Sequence, residues 1–105
     1  MKESAIEARL VKMVRERGGL CPKFVSPNNP GVPDRIVIAP GGRVIFVELK
    51  TDIGRLANIQ KWQIEEMRKR GADVRVLKGL DEIKAFVEEV MPDEVHALSV
   101  PAVLH

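Results

Sequence analysis

Residues 34–50, DRIVIAPGGRVIFVELK, decide how the rest of the chain is read. Asp34–Ala39 (DRIVIA) and Arg43–Lys50 (RVIFVELK) are β-branched runs on either side of Pro40-Gly41-Gly42. Two such runs around a short glycine-containing turn predict an antiparallel hairpin. Ile36-Val37-Ile38 and Ile45-Phe46-Val47 are apolar on both faces, which places the hairpin centrally in a sheet covered on two sides. Side chains alternate along a strand, so Glu48 and Lys50 project from one face. Asp34 follows Gly31-Val32-Pro33 and opens the paired strand. It should lie roughly opposite Glu48, at the hairpin's open end.

Two carboxylates converging at the end of a buried hairpin repel each other unless positive charge lies between them. A divalent cation answers that need. Mg²⁺ prefers oxygen ligands and usually takes one or two carboxylates plus phosphate oxygens. It would offset phosphate charge and lower the pKa of a bound water, with Lys50 adding a positive point charge beside the reacting phosphorus. Asp34, Glu48 and Lys50 are thus the minimum parts for phosphodiester hydrolysis. The plainer alternative is a solvated Glu48–Lys50 ion pair on an amphipathic strand.

Outward from the hairpin, residues 4–17 (SAIEARLVKMVRER) predict a helix closed by Gly18-Gly19. Ile6, Leu10, Met13 and Val14 share its apolar arc. Glu7 falls inside that arc and can face the sheet, with Glu3 nearby as the substitute. Ser4-Ala5-Ile6-Glu7 also spells a capping box, in which Glu7 would return to the Ser4 backbone. Residues 20–26 (LCPKFVS) predict a short strand, kept to an edge by Pro22, and Pro27-Asn28-Asn29-Pro30-Gly31 a loop. A helix over about 55–70 ends at Gly71, Asp73–Leu77 predicts a fourth strand, and Asp81 caps a last helix through Glu89. On the second helix, Leu56, Ile59, Ile64 and Met67 form the apolar arc, and Gln60 and Gln63 fall within it. Such amides need partners: metal-bound water or Lys50 for Gln60, or the backbone of the sheet. Trp62 lies off the arc and should be partly exposed, for packing, dimerisation or a nucleic-acid surface. The order α-β-β-β-α-β-α implies a mixed sheet with helices against it.

The 105 residues suffice for one compact domain. One cysteine, Cys21, excludes an intrachain disulfide and a Cys-rich zinc site. No apolar run is long enough for a bilayer and the start lacks a secretory stretch, so the expected location is cytoplasmic, with no membrane partner. Residues 1–80 carry 16 Lys/Arg against 9 Asp/Glu (+7), and residues 81–105 carry 1 against 6 (−5), which sums to the net +2. A basic body permits a polyanionic partner without proving one. Lys23, Arg35 and Arg55 are candidate phosphate contacts, as are Arg43 and Arg75. The basic run Arg68-Lys69-Arg70 complements a helix dipole.

Gly31-Val32-Pro33-Asp34-Arg35 followed by Val47-Glu48-Leu49-Lys50 resembles the PD-(D/E)xK nuclease signature, and within it the VRR-NUC family of phages and bacteria. The likeness runs from about Ile6 to Leu77, through Gly18-Gly19, Lys23-Phe24, Gly41-Gly42, Gly54-Arg55-Leu56 and Gln60. It implies an α/β, restriction-endonuclease-like α-β-β-β-α-β core with a central mixed sheet flanked by helices. The nuclease domain would span 1–90, and 91–105 would be a C-terminal extension rather than a second domain. By the same resemblance, Asp34 and Glu48 are metal ligands, Lys50 is the catalytic lysine, and Glu7 and Gln60 match the family's further site residues, Glu7 as a third ligand. The implied activity is Mg²⁺-dependent DNA endonuclease, with Mn²⁺ able to substitute. The expected partner is branched or four-way-junction DNA, cut by a homodimer. Two other functions compete: a non-catalytic nucleic-acid-binding module that keeps the fold, and a regulatory protein whose acidic tail docks a partner.

Overall fold

The computed structural model describes residues 1–93. The elements are α1 (Glu3–Glu16), β1 (Arg35–Ile38), β2 (Val44–Lys50), α2 (Asn58–Lys69), β3 (Val74–Lys78) and α3 (Gly79–Val90). The sheet order is β1-β2-β3, with β1 antiparallel and β3 parallel to β2. The mixed α/β sheet is therefore the expected one, with β2 at its centre and β1, the other arm of the hairpin, at an edge instead of in the expected central place. Gly41 and Gly42 take φ of 96° and 95°, and Gly42 N–H donates to the Ala39 carbonyl at 2.9 Å. Left-handed backbone at two successive residues is what a glycine pair supplies at least cost.

Among the described residues three strands form instead of the expected four. Residues 20–24 do run beside β1, with Leu20 and Ile38 exchanging N–H···O bonds at 2.9 Å and Phe24 N–H donating to the Asp34 carbonyl at 3.0 Å. These contacts amount to isolated bridges at Leu20 and Lys23. Pro22 lacks the N–H that would join them into a ladder.

Ile6, Leu10 and Val14 of α1 are buried against Val37, Ile45, Val47 and Leu49 of the sheet. Ile83, Phe86, Val87 and Val90 of α3 complete the same core with Leu77 and Met91. Each fully buried aliphatic side chain stabilises by roughly 1.5–3 kcal/mol. Ile45, Val47 and Leu49 thus face α1 and α3, and strand alternation turns Phe46, Glu48 and Lys50 to the other side. Met91, the expected first residue of the extension, belongs to this core, and its carbonyl accepts Arg17 Nη1–H at 2.7 Å. The extension from residue 94 onward, with His96 and His105, lies outside the described residues. Among the described residues no helix is long and apolar enough to cross a membrane.

Two helix starts differ from expectation. Lys2, not Ser4, is the N-cap of α1, and no side chain caps it, so the Ser4–Glu7 box does not form. The third helix follows β3 directly through Gly79 (φ 80°), and Glu82 Oε1 accepts the Lys78 N–H at 2.8 Å in place of a cap by Asp81.

The loop before Asp34 is tied to α2. Buried Gln63 donates to Asn29 Oδ1 at 2.5 Å and to the Pro30 carbonyl at 3.1 Å. Gly31 has φ 91°, and a Cβ there would lie 2.7 Å from the Ile59 carbonyl oxygen. Gly31→Ala therefore combines backbone strain with a clash against helix backbone. We expect it to destabilise by about 2 kcal/mol or more, read as a lower denaturation midpoint. An unchanged midpoint would mean that the loop is not held as described.

Candidate metal centre

Arg35 of β1 pairs with Val47 of β2, which sets Asp34 opposite Glu48. Asp34 Oδ2 accepts the Leu49 N–H at 2.9 Å, fixing the carboxylate at the open end of the hairpin. Glu48 is 1% exposed. Its Oε2 accepts Gln60 Nε2–H at 3.0 Å and lies 3.6 Å from Lys50 Nζ. Lys50 Nζ also stands 3.9 Å from Glu3 Oε1. One oxygen each from Glu3, Asp34 and Glu48 lie within 4.8 Å of one another. The two carboxylates and the ammonium expected from the sequence do converge.

Electrostatics make this an uncomfortable arrangement for the protein alone. Burial first, and then the negative charge of Asp34, push the Glu48 carboxyl up to about 7, against a partial opposing effect from Lys50. Glu48 Oε1 is buried with no hydrogen-bond partner among the described residues. An orphaned carboxylate oxygen costs roughly 1–3 kcal/mol or more. A divalent cation fits this defect, since all three candidate ligands are the hard oxygens that Mg²⁺ prefers.

Glu7 goes elsewhere. It does face the sheet, but it meets Arg35 on the α1 side, with Arg35 Nε donating to Glu7 Oε2 at 2.7 Å. Arg35 Nη1 donates to the Cys21 carbonyl at 2.8 Å. Glu48 points to the opposite face, so Glu7 does not enter the carboxylate group, and Glu3 stands there instead. The expected phosphate contact at Arg35 meets the same obstacle, because its guanidinium is held inside the protein. Lys23 and Arg55 are exposed. Gln60 reaches neither Lys50 nor the sheet backbone. It bridges Glu48 to the start of α2, its Oε1 accepting the Ala57 N–H at 2.9 Å.

The VRR-NUC domain family matches residues 4–81. The chain belongs to the VRR-NUC family. A solved VRR-NUC domain superposes with a TM-score of 0.77 at 30% identity, covering 82% of this chain and 94% of that one. A second, described as a VRR-NUC domain protein, has a TM-score of 0.65 at 21% identity, covering 89% and 92%, which shows a shared fold. Over 50 residues the chain is 54% identical to "Putative nuclease p44" of Acyrthosiphon pisum secondary endosymbiont phage 1. That match spans 48% of this chain and 54% of the phage protein, about half of each.

Within this VRR-NUC fold, Glu3 and Glu7 can be told apart by experiment. We expect Glu3→Ala to weaken Mn²⁺ binding about tenfold, as the loss of one charged contact worth ~1.4 kcal/mol does. Glu7→Ala should leave Mn²⁺ binding unchanged and instead lower stability by about 1–3 kcal/mol, because Arg35 loses its partner in a half-buried site. Calorimetric titration and thermal melts separate the two, and the reverse pattern would return Glu7 to the metal centre.

Proposed function

We propose that this protein is a Mg²⁺-dependent endonuclease that hydrolyses DNA phosphodiester bonds, with Mn²⁺ able to substitute. The observation that carries the reading is the Glu48 carboxylate, buried beside Asp34 and Lys50 with one oxygen unpartnered among the described residues. Membership of the VRR-NUC family and the kinship with a phage protein named as a nuclease support it.

Asp34, Glu48 and Glu3 would hold the ion. When bound, it offsets phosphate charge and acidifies a water. The protein's own groups do the rest. The Leu49 N–H keeps Asp34 at the mouth of the hairpin, and Gln60 keeps Glu48 from swinging away. Lys50, half-buried, holds an ammonium where negative charge grows as the phosphate is attacked. Lys23 and Arg55 are exposed cations that suit the DNA backbone.

The substrate we favour is branched DNA, cut by a homodimer. A single chain of this size covers little DNA, and a four-way junction has two-fold symmetry. Trp62, 54% exposed on α2, is available for such an interface. The experiment is cleavage of a four-way junction, flap, linear duplex and single strand, with Mg²⁺ and with EDTA, alongside light scattering. Metal-dependent cuts, fastest on the junction, by a dimer are expected. Inertness on every substrate would leave a non-catalytic DNA binder. A monomer at micromolar concentration would remove the paired-cut arrangement.

A further inference from the structure

The turn immediately after Lys50 carries a side chain that the fold does not need. Thr51–Gly54 closes with Gly54 N–H donating to the Thr51 carbonyl at 3.0 Å. Ile53 at its tip is 89% exposed, more than any other large apolar residue among the described ones. The turn is not a loose one. Asp52's carboxylate lies against Gly79, in the space that a Cβ on that residue would fill, and Gly79 has φ 80°. An apolar side chain is thus held out in water on a supported turn, three residues from the ammonium of the metal centre.

Behind Ile53 lies a hollow of about 440 Å³, lined by Met1, Ile6, Thr51, Asp52, Ile53, Gly79 and Leu80. Its walls are mostly aliphatic, with one carboxylate, Asp52. It opens at the end of the sheet where α1 begins and β2 ends, the elements that bring Glu3 and Lys50 to the metal centre. Arg55, two residues past Ile53 in the chain, is exposed and is a cation that a DNA phosphate could meet. An aliphatic wedge, a hollow with a hydrogen-bond acceptor and a cation close by in the chain together match an unstacked nucleotide.

We propose that Ile53 inserts into the base stack next to the phosphate being cut, and that the hollow receives the displaced base. This rests on the nuclease reading above and gives its preference for distorted DNA a physical cause. Separating one base step costs a few kcal/mol in regular duplex and less where stacking is already broken. Asp52 would accept from the exocyclic amino group of cytosine or adenine. Ile53 is therefore a specificity-determining contact, distinct from the residues that hold the ion.

The test uses the full chain and duplexes with 2-aminopurine at successive positions around the cut, bound in Ca²⁺ to suppress cleavage. The parent protein should raise 2-aminopurine fluorescence severalfold at one position beside the cut. Ile53→Ala should abolish that rise. With Mg²⁺, Ile53→Ala should cut intact duplex about tenfold or more slowly, yet cut a substrate with an abasic gap at that position at the parent rate. Leu80→Trp, which fills the hollow, should reproduce the loss of fluorescence. Equal fluorescence and equal duplex cleavage by parent and Ile53→Ala would overturn the wedge. So would an equal slowing of Ile53→Ala on duplex and gapped DNA. If the parent cuts nothing under any condition, the nuclease reading itself fails, an outcome separate from these.

Discussion

Asp34→Asn will cleave DNA at roughly a thousandth of the parent rate or less, while melting within about 1 kcal/mol of it. The substitution separates two tasks of one side chain. Asp34 Oδ2 accepts the Leu49 N–H at 2.9 Å, and the amide oxygen of Asn can accept the same bond, so the hairpin should survive. What disappears is the negative charge facing Glu48 and Glu3 across the candidate cation site. If Asp34 were only a turn residue, Asn would serve as well and the rate would hold. Single-turnover cleavage in saturating Mg²⁺ and a thermal melt decide the matter. A rate within threefold of the parent would exclude Asp34 from the ion.

Glu48→Gln should do the opposite to stability: it should stabilise the metal-free protein while destroying cleavage. The Glu48 carboxyl is raised to about 7 from its ordinary value of 4.5, by burial and then by Asp34. The folded protein therefore holds a proton on Glu48 that the unfolded chain has already released between those values. Stability from the protonated form is complete below about 4.5 and is lost as pH climbs through about 7. A shift of this size corresponds to about 3 kcal/mol at full ionisation. Gln cannot ionise, so at pH 8 Glu48→Gln should melt on the order of 10 °C above the metal-free parent. At pH 4.5 the two should melt together. Saturating Mg²⁺ should close most of the gap at pH 8 by stabilising only the parent. Equal melting temperatures at pH 8 without metal would show that Glu48 bears no such strain.

The hairpin was legible because local chemistry determines it: β-branched runs, a Pro-Gly-Gly turn and strict alternation leave one register in which Asp34 meets Glu48. Lys50 followed from the two-residue spacing. The family also showed in the motif itself, before any geometry. What the sequence did not disclose was which side of the sheet each helix residue reaches. The wheel turns Glu7 toward the sheet, as the structure has it, but the α1-facing surface holds Arg35 and the opposite one holds Glu48. Glu3, one turn earlier, reaches the Lys50 ammonium and the Asp34 and Glu48 carboxylates, a consequence of helix placement and not of the wheel. The one signal for the Glu7–Arg35 pair was strand parity, since Arg35 is one residue from Asp34 and must face the other way. Pro22 likewise announced an edge, and its missing N–H went further by reducing a strand to two bridges. The wheel marks Gln60 as an amide in need of partners, but its partner, the Glu48 carboxylate, depends on how α2 lies across the sheet.

The most direct test is a Mn²⁺ titration followed by electron paramagnetic resonance, in which free Mn²⁺ gives the signal and bound Mn²⁺ does not. At pH 8 the expected result is saturable loss of the free-ion signal in the parent protein and little loss in Asp34→Asn. A signal that stays at the free-ion level through millimolar protein would mean that the carboxylates of Glu3, Asp34 and Glu48 hold no ion.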